Sequence, residues 1–265
     1  MVGIFESIVL GAVQGLTEFL PVSSSGHLQL AKELLGVELQ ENLAFDVTLH
    51  AATVLSTIVI LWAEIWWLVK GLFSRGMNEE KSYFLKLVVS MLPIGVVGLV
   101  FKDDINAMLS ADYIMAVVGG MLLLTSALLA FAYYARPRMK SAISYRDAFI
   151  IGVAQSVASM PGLSRSGTTI ATGLLLGNQK AAVATFSFLM VLAPIMGETL
   201  LEVVDGGLAL AGVSTGALVA GFISAFVVGC LACRFMINIV KRGKLIWFAI
   251  YCAIVGLVAI ASYII

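Results

Sequence analysis

The sequence predicts an all-α polytopic membrane protein with six transmembrane helices, two re-entrant helical hairpins and an inverted-topology repeat. Three observations support this fold class. The 265-residue chain is strongly apolar, with 60% hydrophobic residues and a mean hydropathy of +1.03. Six apolar segments are long enough to cross a membrane, whereas two others are interrupted by short polar stretches. The two interrupted segments also resemble each other in sequence.

The composition places the whole chain in a membrane. Soluble domains are about half apolar and a quarter charged, whereas only 12% of this chain is charged. The net charge is zero, which gives no reason to expect a nucleic-acid partner. Because no polar stretch is long enough for a second domain, we expect residues 1–265 to form a single membrane domain surrounded by lipids.

The six uninterrupted segments are the predicted transmembrane helices. A spanning helix needs about 20 mostly apolar residues. The segments that meet this requirement are 45–69, 84–101, 113–134, 183–203, 210–233 and 245–264.

The two interrupted segments are predicted to be hairpins. The first apolar run, 2–20, meets the stretch PVSSSGH and resumes at 28–36. The second, 147–160, meets PGLSRSG and resumes at 168–177. Irregular backbone at membrane depth is tolerated only where it is buried in protein or lines a wet cavity. We therefore expect each segment to enter and leave the membrane on one side.

The distribution of lysine and arginine agrees with this count. The loops at 70–86, 135–146 and 234–244 hold four basic residues each, and Lys180 falls on the same side. The opposite side holds two, and Arg165 lies inside the second polar break. Cytoplasmic loops are enriched in basic residues, so both termini are predicted to lie outside. Treating either hairpin as a full span would spoil this alternation.

The two polar breaks indicate an internal repeat. Residues 11–26 align without gaps with residues 152–167, at an offset of 141. The halves 1–140 and 141–265 would each contain one hairpin and three spans, and an odd number of spans inverts the second half. The hairpin tips should then meet near mid-depth, as in many transporters. The identical pairs are Gly11 and Gly152, Gln14 and Gln155, Ser23 and Ser164, Ser25 and Ser166, and Gly26 and Gly167.

The second tip carries groups suited to an oxyanion. The Arg165 guanidinium is a planar fork of donors that matches phosphate oxygens. A helix that starts at about residue 168 would point its N-terminus at the same place. Alternatively, Arg165 only pairs with Glu18 to hold the tips together. The polar residues expected to bind substrate here are Gln155, Ser164, Ser166 and Thr169.

The first tip carries groups suited to reaction. Gln14 and Glu18 are four residues apart and so share a helix face, and Gln14 is expected to bind substrate. Glu18 is expected to ligate a divalent cation, Mg²⁺ or Ca²⁺, or to act as a base. His27 can hold or deliver a proton near neutral pH, or it is a structural histidine.

The three serines of the first tip offer a nucleophile. We favour Ser24, because the repeat alignment places it opposite Arg165. Ser23 and Ser25 either contact substrate or cap a helix that begins near residue 26.

The two tips together resemble a known family. Gln14-x-x-x-Glu18 with 21-PVSSSGH-27, followed by 161-PGLSRSGTT-169, is similar to the paired motifs of the undecaprenyl-diphosphate phosphatases, the bacitracin-resistance family of bacterial inner membranes. The resemblance extends over essentially the whole chain. Many members have Glu where this chain has Gln14, although the pattern permits either residue.

The resemblance implies a lipid phosphatase. The substrate would be the polyprenyl lipid undecaprenyl diphosphate, and the products undecaprenyl phosphate and inorganic phosphate, which recycles the carrier for peptidoglycan synthesis and confers bacitracin resistance. It also implies dependence on a divalent cation and a site that opens outward. The residues matching the family's functional positions are Glu18, Ser24, His27, Ser164, Arg165, Ser166 and Thr169.

Two other functions compete with this one. A transporter or flippase of a lipid phosphate would have the same architecture. A lipid phosphatase with a histidine nucleophile would require a second histidine after Ser164-Arg165, yet the chain contains only His27 and His50. The apolar surface is also large enough for a homodimer.

Overall fold

The computed structural model describes residues 2–37, 43–101, 113–135, 140, 142–204 and 213–264. Within these residues the chain is helical, apart from turns and two isolated bridges. The helices are α1 (Ile4–Phe19), α2 (Ser24–Leu34), α3 (Leu43–Ile60), α4 (Trp62–Leu72), α5 (Glu79–Val100), α6 (Ile114–Tyr134), α7 (Tyr145–Val157), α8 (Arg165–Leu175), α9 (Lys180–Val204), α10 (Thr215–Arg242) and α11 (Ile246–Ile264).

Five of these helices are long and apolar enough to cross a membrane, namely α5, α6, α9, α10 and α11. A sixth candidate is the pair formed by α3 and α4. The prediction of an all-helical polytopic protein is therefore confirmed.

The predicted span 45–69 is not one straight helix. The chain bends by 76° between α3 and α4, with the break at Leu61. The sequence has no proline or glycine at this point, so the hydropathy pattern alone could not show the bend. Leu61 and Leu68 are both buried in the main hydrophobic cluster, whereas Trp62 is exposed. Burial of these leucines turns α4 against the core.

The fifth span is shifted towards the C-terminus relative to the predicted 210–233. Helix α10 begins at Thr215, where the Ser214 hydroxyl accepts the Ala217 N–H, and it continues to Arg242. Gly243 ends the helix with a φ of 71°. The last turn carries Lys241 and Arg242, whose cations suit a helix C-terminus. Residues 210–212 of the predicted segment lie outside the described residues.

Each polar break separates two short helices. Helices α1 and α2 are joined through residues 20–23, and α7 and α8 through residues 158–164. The returning helices begin earlier than predicted, at Ser24 and Arg165 rather than near 26–28 and 168. At the second break the Ser164 hydroxyl accepts the Gly167 N–H at 3.1 Å, so the helix is capped inside the predicted polar loop.

The first helix of each hairpin packs closely on a long helix. A Cβ at Gly11 of α1 would lie 2.4 Å from the Gly221 carbonyl oxygen of α10. A Cβ at Gly152 of α7 would lie 2.3 Å from the Ser90 carbonyl oxygen of α5. Small residues allow such close backbone approach, which is a main source of helix association in membranes.

The two hairpin tips meet beside α6. A Cβ at Gly26 would lie 3.9 Å from Gly162 Cα and 3.2 Å from the Val118 side chain. A Cβ at Gly162 would lie 2.6 Å from Val118 Cα, and Gly162 has a φ of 87°, so only glycine fits this turn without strain. The predicted meeting of the tips is therefore observed.

Candidate active site

Glu18 and Arg165 come together from the two hairpins. Glu18 Oε1 lies 3.9 Å from Arg165 Nη2, and the side chains are 6% and 22% exposed. This distance is a charge contact rather than a hydrogen bond. Glu18 Oε2 also accepts a hydrogen bond from Gln14 Nε2 at 3.0 Å, as expected from their spacing on α1.

A small cavity of about 20 Å³ lies beside this pair. Its polar wall consists of Glu18, Arg165, Ser166, Thr53 and Thr57. The remaining wall is apolar and is formed by Phe19, Phe188, Val191, Leu192 and Ile195. A carboxylate and a guanidinium thus line one wall of a small cavity whose other wall is apolar. This combination suits an anionic head group that is attached to an apolar chain.

Sequence reasoning missed Thr53 and Thr57. Their hydroxyls donate to the carbonyl oxygens of His50 and Thr53, at 2.9 and 3.0 Å. Each hydroxyl proton is donated within the helix, so the hydroxyl oxygens retain lone pairs that can accept a hydrogen bond or bind a cation. The available signal was a pair of threonines four residues apart, on one face of an apolar span.

The hydroxyls of the second tip have different surroundings. Ser166 lines the cavity, and its Oγ donates to the Leu20 carbonyl oxygen at 3.3 Å. Ser164 Oγ caps α8 and lies 3.4 Å from Ser166 Oγ. Thr169 is fully buried, and its hydroxyl donates to the Arg165 carbonyl oxygen at 3.0 Å. Of these three, Ser166 alone is among the described residues that line the cavity.

The two repeat-related glutamines are both fully buried. Gln14 reaches Glu18 through its amide nitrogen, and its Oε1 has no hydrogen-bond partner among the described residues. Gln155 has no described partner for either amide atom and does not line the cavity. The structure therefore joins Gln14, but not Gln155, to the Glu18–Arg165 pair.

The serines of the first tip lie outside the cavity wall as described. Ser24 is the first residue of α2 and is partly exposed. Ser23 occupies the N-cap position with a φ of 70°, but its side chain makes no capping hydrogen bond. Its Oγ instead lies 3.4 Å from the Oγ of the exposed Ser25. The helix-capping alternative therefore does not describe Ser23.

His27 has partners at both ring nitrogens. Nδ1 lies 2.9 Å from the Ser23 carbonyl oxygen, and Nε2 lies 2.7 Å from the Tyr251 hydroxyl. Tyr251 comes from α11 and was not anticipated. His27 is not among the described residues that line the cavity.

Glu18 and Gln14 offer oxygen atoms of the kind that a hard cation binds. The described residues contain no group of three or more His, Cys, Asp or Glu that could hold a metal ion. Glu18 nevertheless provides a carboxylate, and the unpartnered Gln14 Oε1 is a buried amide oxygen on the same helix face. These oxygen donors fit Mg²⁺ or Ca²⁺ if the phosphate groups of a substrate supply further ligands.

Charged and polar groups connect the open end of the second hairpin, where α7 begins and α8 ends. Asp147 Oδ2 lies 3.0 Å from Lys140 Nζ, and residues 140 and 178 form an isolated bridge. Burial would raise the pKa of the Asp147 carboxyl, but hydrogen bonds from Lys140 and Asn178 outweigh it and hold this pKa below its ordinary value. The start of α7 is thus tied to the end of α8.

Comparison with known proteins places the chain in a family. The model of the family described as bacitracin resistance protein BacA matches residues 7–258. The chain belongs to the BacA family. A protein of Bacteroides fragilis (strain YCH46), named undecaprenyl-diphosphatase, is 60% identical over 259 residues, which is 97% of each chain. Proteins with the same name from Parabacteroides distasonis and Methanosphaera stadtmanae are 59% and 36% identical, over 97% and 98% of each chain.

Proposed function

We propose that this BacA-family protein is a membrane phosphatase that hydrolyses undecaprenyl diphosphate to undecaprenyl phosphate and inorganic phosphate. This activity would recycle the lipid carrier for cell-wall synthesis and confer bacitracin resistance. The name shared by its relatives supports the substrate. The observation that carries the chemistry is the Glu18–Arg165 pair at the wall of a cavity with one polar and one apolar side.

The diphosphate head group would bind at the polar wall of the cavity. Arg165 supplies a positive charge and a fork of donors for the phosphate oxygens. The Ser166 hydroxyl lies on the same wall. The first isoprenoid units would contact the apolar wall, where Phe188 and Ile195 are buried. Positioning and charge stabilisation of this kind supply most of the catalysis in phosphoryl transfer.

The Glu18 side of the cavity would neutralise negative charge. Glu18 and the Gln14 amide oxygen would hold a divalent cation, Mg²⁺ or Ca²⁺, whose chemistry is to balance charge on the diphosphate oxygens. Thr53 and Thr57 line the same space, and their hydroxyl oxygens have lone pairs available. Gln14 orients Glu18 by its 3.0 Å hydrogen bond, which keeps the carboxylate directed to the cavity.

The reaction breaks the bond between the terminal phosphorus and the bridging oxygen. Ser24 Oγ, or a water molecule, attacks this phosphorus and transfers its proton to Glu18 or His27. Undecaprenyl phosphate leaves with the bridging oxygen, and water then releases phosphate from Ser24 if the serine was the nucleophile. Ser24 lies outside the described cavity wall but is partly exposed at the start of α2, so the terminal phosphorus of the diphosphate would have to extend beyond that wall to meet its Oγ.

We also propose that the fold is an inverted repeat with two re-entrant hairpins. Helices α2 and α8 begin and end at residues 141 apart, Ser24–Leu34 and Arg165–Leu175. Gly11 and Gly152, at the same offset, each meet the backbone of a long helix from the other half. These equivalences support two halves, 1–140 and 141–265, in which the first helix of each hairpin packs on a long helix of the other half.

The protein is a multi-pass membrane protein, and its family points to the bacterial inner membrane. We propose that both termini and the active site face outward, since the basic loops lie on the other side. A homodimer is a further proposal, supported by the many exposed apolar side chains of the described helices.

The test of function is phosphate release from undecaprenyl diphosphate by purified protein in detergent. Hydrolysis needs no membrane compartments, whereas transport needs two. We expect release by the native protein and its loss in Glu18→Gln. Folded native protein that releases no phosphate, but moves a lipid phosphate across vesicles, would establish the transporter instead.

A further inference from the structure

The C-terminal helix α11 contacts the first hairpin tip through two adjacent residues. The Tyr251 hydroxyl oxygen lies 2.7 Å from His27 Nε2, and the two rings stack with centroids 5.6 Å apart. The neighbouring Cys252 Sγ lies 3.3 Å from the Pro21 carbonyl oxygen. A residue 224 positions along the chain thus contacts His27 of the predicted site.

The hydrogen bonds of His27 determine which nitrogen carries the proton. The Ser23 carbonyl oxygen can only accept, so His27 Nδ1, 2.9 Å away, must be the donor. In neutral imidazole the other nitrogen is then an acceptor, and the Tyr251 hydroxyl donates to Nε2. Nε2 is therefore the atom at which His27 takes up a proton.

The carbonyl that fixes Nδ1 belongs to an unusual backbone position. Ser23 is the only non-glycine residue with positive φ among the described residues. Such a conformation costs on the order of 1–3 kcal/mol and persists only when its surroundings hold it. Val22 is buried with Val118, Leu122 and Cys252, so α6 and α11 supply those surroundings. The turn directs the Ser23 carbonyl to both the backbone N–H and Nδ1 of His27.

We infer that Tyr251 is a positioning residue that orients His27 and through which a proton reaches Nε2: the phenol O–H occupies the single lone pair of neutral Nε2, so it passes its own proton to Nε2 as it takes another from the reacting hydroxyl or water. A phenol hydroxyl donates to neutral Nε2 and accepts from Nε2–H of the imidazolium, so Tyr251 partners His27 in both states. Phenylalanine would keep the ring contact and leave Nε2 without its partner. The inference rests on the proposed function, because it assigns His27 a proton-transfer role in that reaction.

Kinetics of Tyr251→Phe provide the first test. We expect kcat for phosphate release to fall roughly 10-fold with little change in KM, as a part of the 10²- to 10⁴-fold that acid–base catalysis contributes. In a His27→Ala background the same substitution should cause no further loss, because Tyr251 acts through His27. Tyr263→Phe, at an exposed position of the same helix, is the matched control and should retain full activity.

A spectroscopic readout tests the geometry without turnover. The chain has two histidines, so ¹⁵N-histidine spectra contain two ring systems, which His50→Asn would assign. We expect neutral His27 as the Nδ1–H tautomer, with an Nε2 signal that moves in Tyr251→Phe and stays in Tyr263→Phe.

Two kinds of result would overturn the assignment. An Nε2–H tautomer would contradict the hydrogen-bond assignment, and unchanged kcat in Tyr251→Phe or additive losses with His27→Ala would contradict the positioning role. Native protein that releases no phosphate would instead overturn the proposed function itself, whatever the tautomer of His27.

Discussion

The Ser166 hydroxyl donates to the Leu20 carbonyl oxygen at 3.3 Å, and this hydrogen bond joins the two hairpin tips beside the cavity. Leu20 directly follows α1, and Ser166 is the second residue of α8. A hydroxyl from the second polar break thus supplies a hydrogen-bond donor to a backbone carbonyl oxygen of the first. Because Glu18 and Arg165 lie two and one residues from these partners, the same contact sets the position of the charged pair.

Arg165 is predicted to be essential for turnover. Arg165→Lys keeps the charge but loses the planar fork, so we expect phosphate release to fall roughly 100-fold or more, as for removal of an oxyanion donor. The thermal unfolding midpoint in detergent should change little. Arg146→Lys, at an exposed position, is the matched control. An active Arg165→Lys enzyme would mean that Arg165 only holds the tips together.

Gln14→Glu is predicted to raise the affinity of the enzyme for the divalent cation without abolishing activity. A second carboxylate beside Glu18 would attract a divalent cation more strongly, since cation affinity rises with the number of charged ligands. The measurement is the Mg²⁺ or Ca²⁺ concentration that gives half-maximal phosphate release, which should fall several-fold. An unchanged or higher concentration would argue against a cation at Glu18.

Thr57→Val tests the wall that sequence reasoning missed. The substitution removes one cavity oxygen at nearly constant volume, and we expect roughly a 10-fold lower rate if that oxygen contacts the bound cation or substrate. Thr172→Val in α8, away from the described cavity wall, serves as the control. Equal rates for both variants would show that the Thr57 hydroxyl does not contact the bound cation or substrate.

Asp147 is predicted to contribute stability that depends on pH. Its pKa is lower in the folded protein, so its contribution is present above the unfolded value of about 4 and is lost as pH falls through the folded value. Asp147→Asn should lower the free energy of unfolding by about 1–3 kcal/mol at neutral pH. Unfolding midpoints of the variant and native protein should converge below pH 4, and a constant difference would contradict this account.

The close backbone approach at Gly11 and Gly152 predicts two equivalent positions at which alanine destabilises the protein. Alanine at Gly11 or Gly152 would place a Cβ within 2.4 Å of a carbonyl oxygen, so each change should destabilise the protein by about 1–3 kcal/mol. Gly120→Ala is the control, because a Cβ there meets nothing within 4 Å and alanine favours helix. Thermal unfolding in detergent measures all three. A stable Gly152→Ala would weaken the proposed equivalence of the halves.

The sequence supports the gross fold because hydropathy and helix length are local properties of the chain. The repeat of the polar breaks also predicted that the tips meet, as the Glu18–Arg165 pair and the hydrogen bond from Ser166 to Leu20 confirm. The bend at Leu61 was missed, since it follows from burial of two leucines rather than from a breaking residue. Tyr251 was missed for a related reason: its partner His27 is distant in the chain, and no local pattern links them.

Binding of the lipid by an inactive variant tests the central claim most directly, namely that the Glu18–Arg165 cavity is the diphosphate site. The measurement compares the affinity of Glu18→Gln and Glu18→Gln/Arg165→Ala for undecaprenyl diphosphate in detergent. We predict that Glu18→Gln binds the lipid and that the double variant binds at least roughly 10-fold more weakly, because a charge-assisted hydrogen bond is worth about 1.5–3 kcal/mol. Equal affinities in two folded variants would contradict the account.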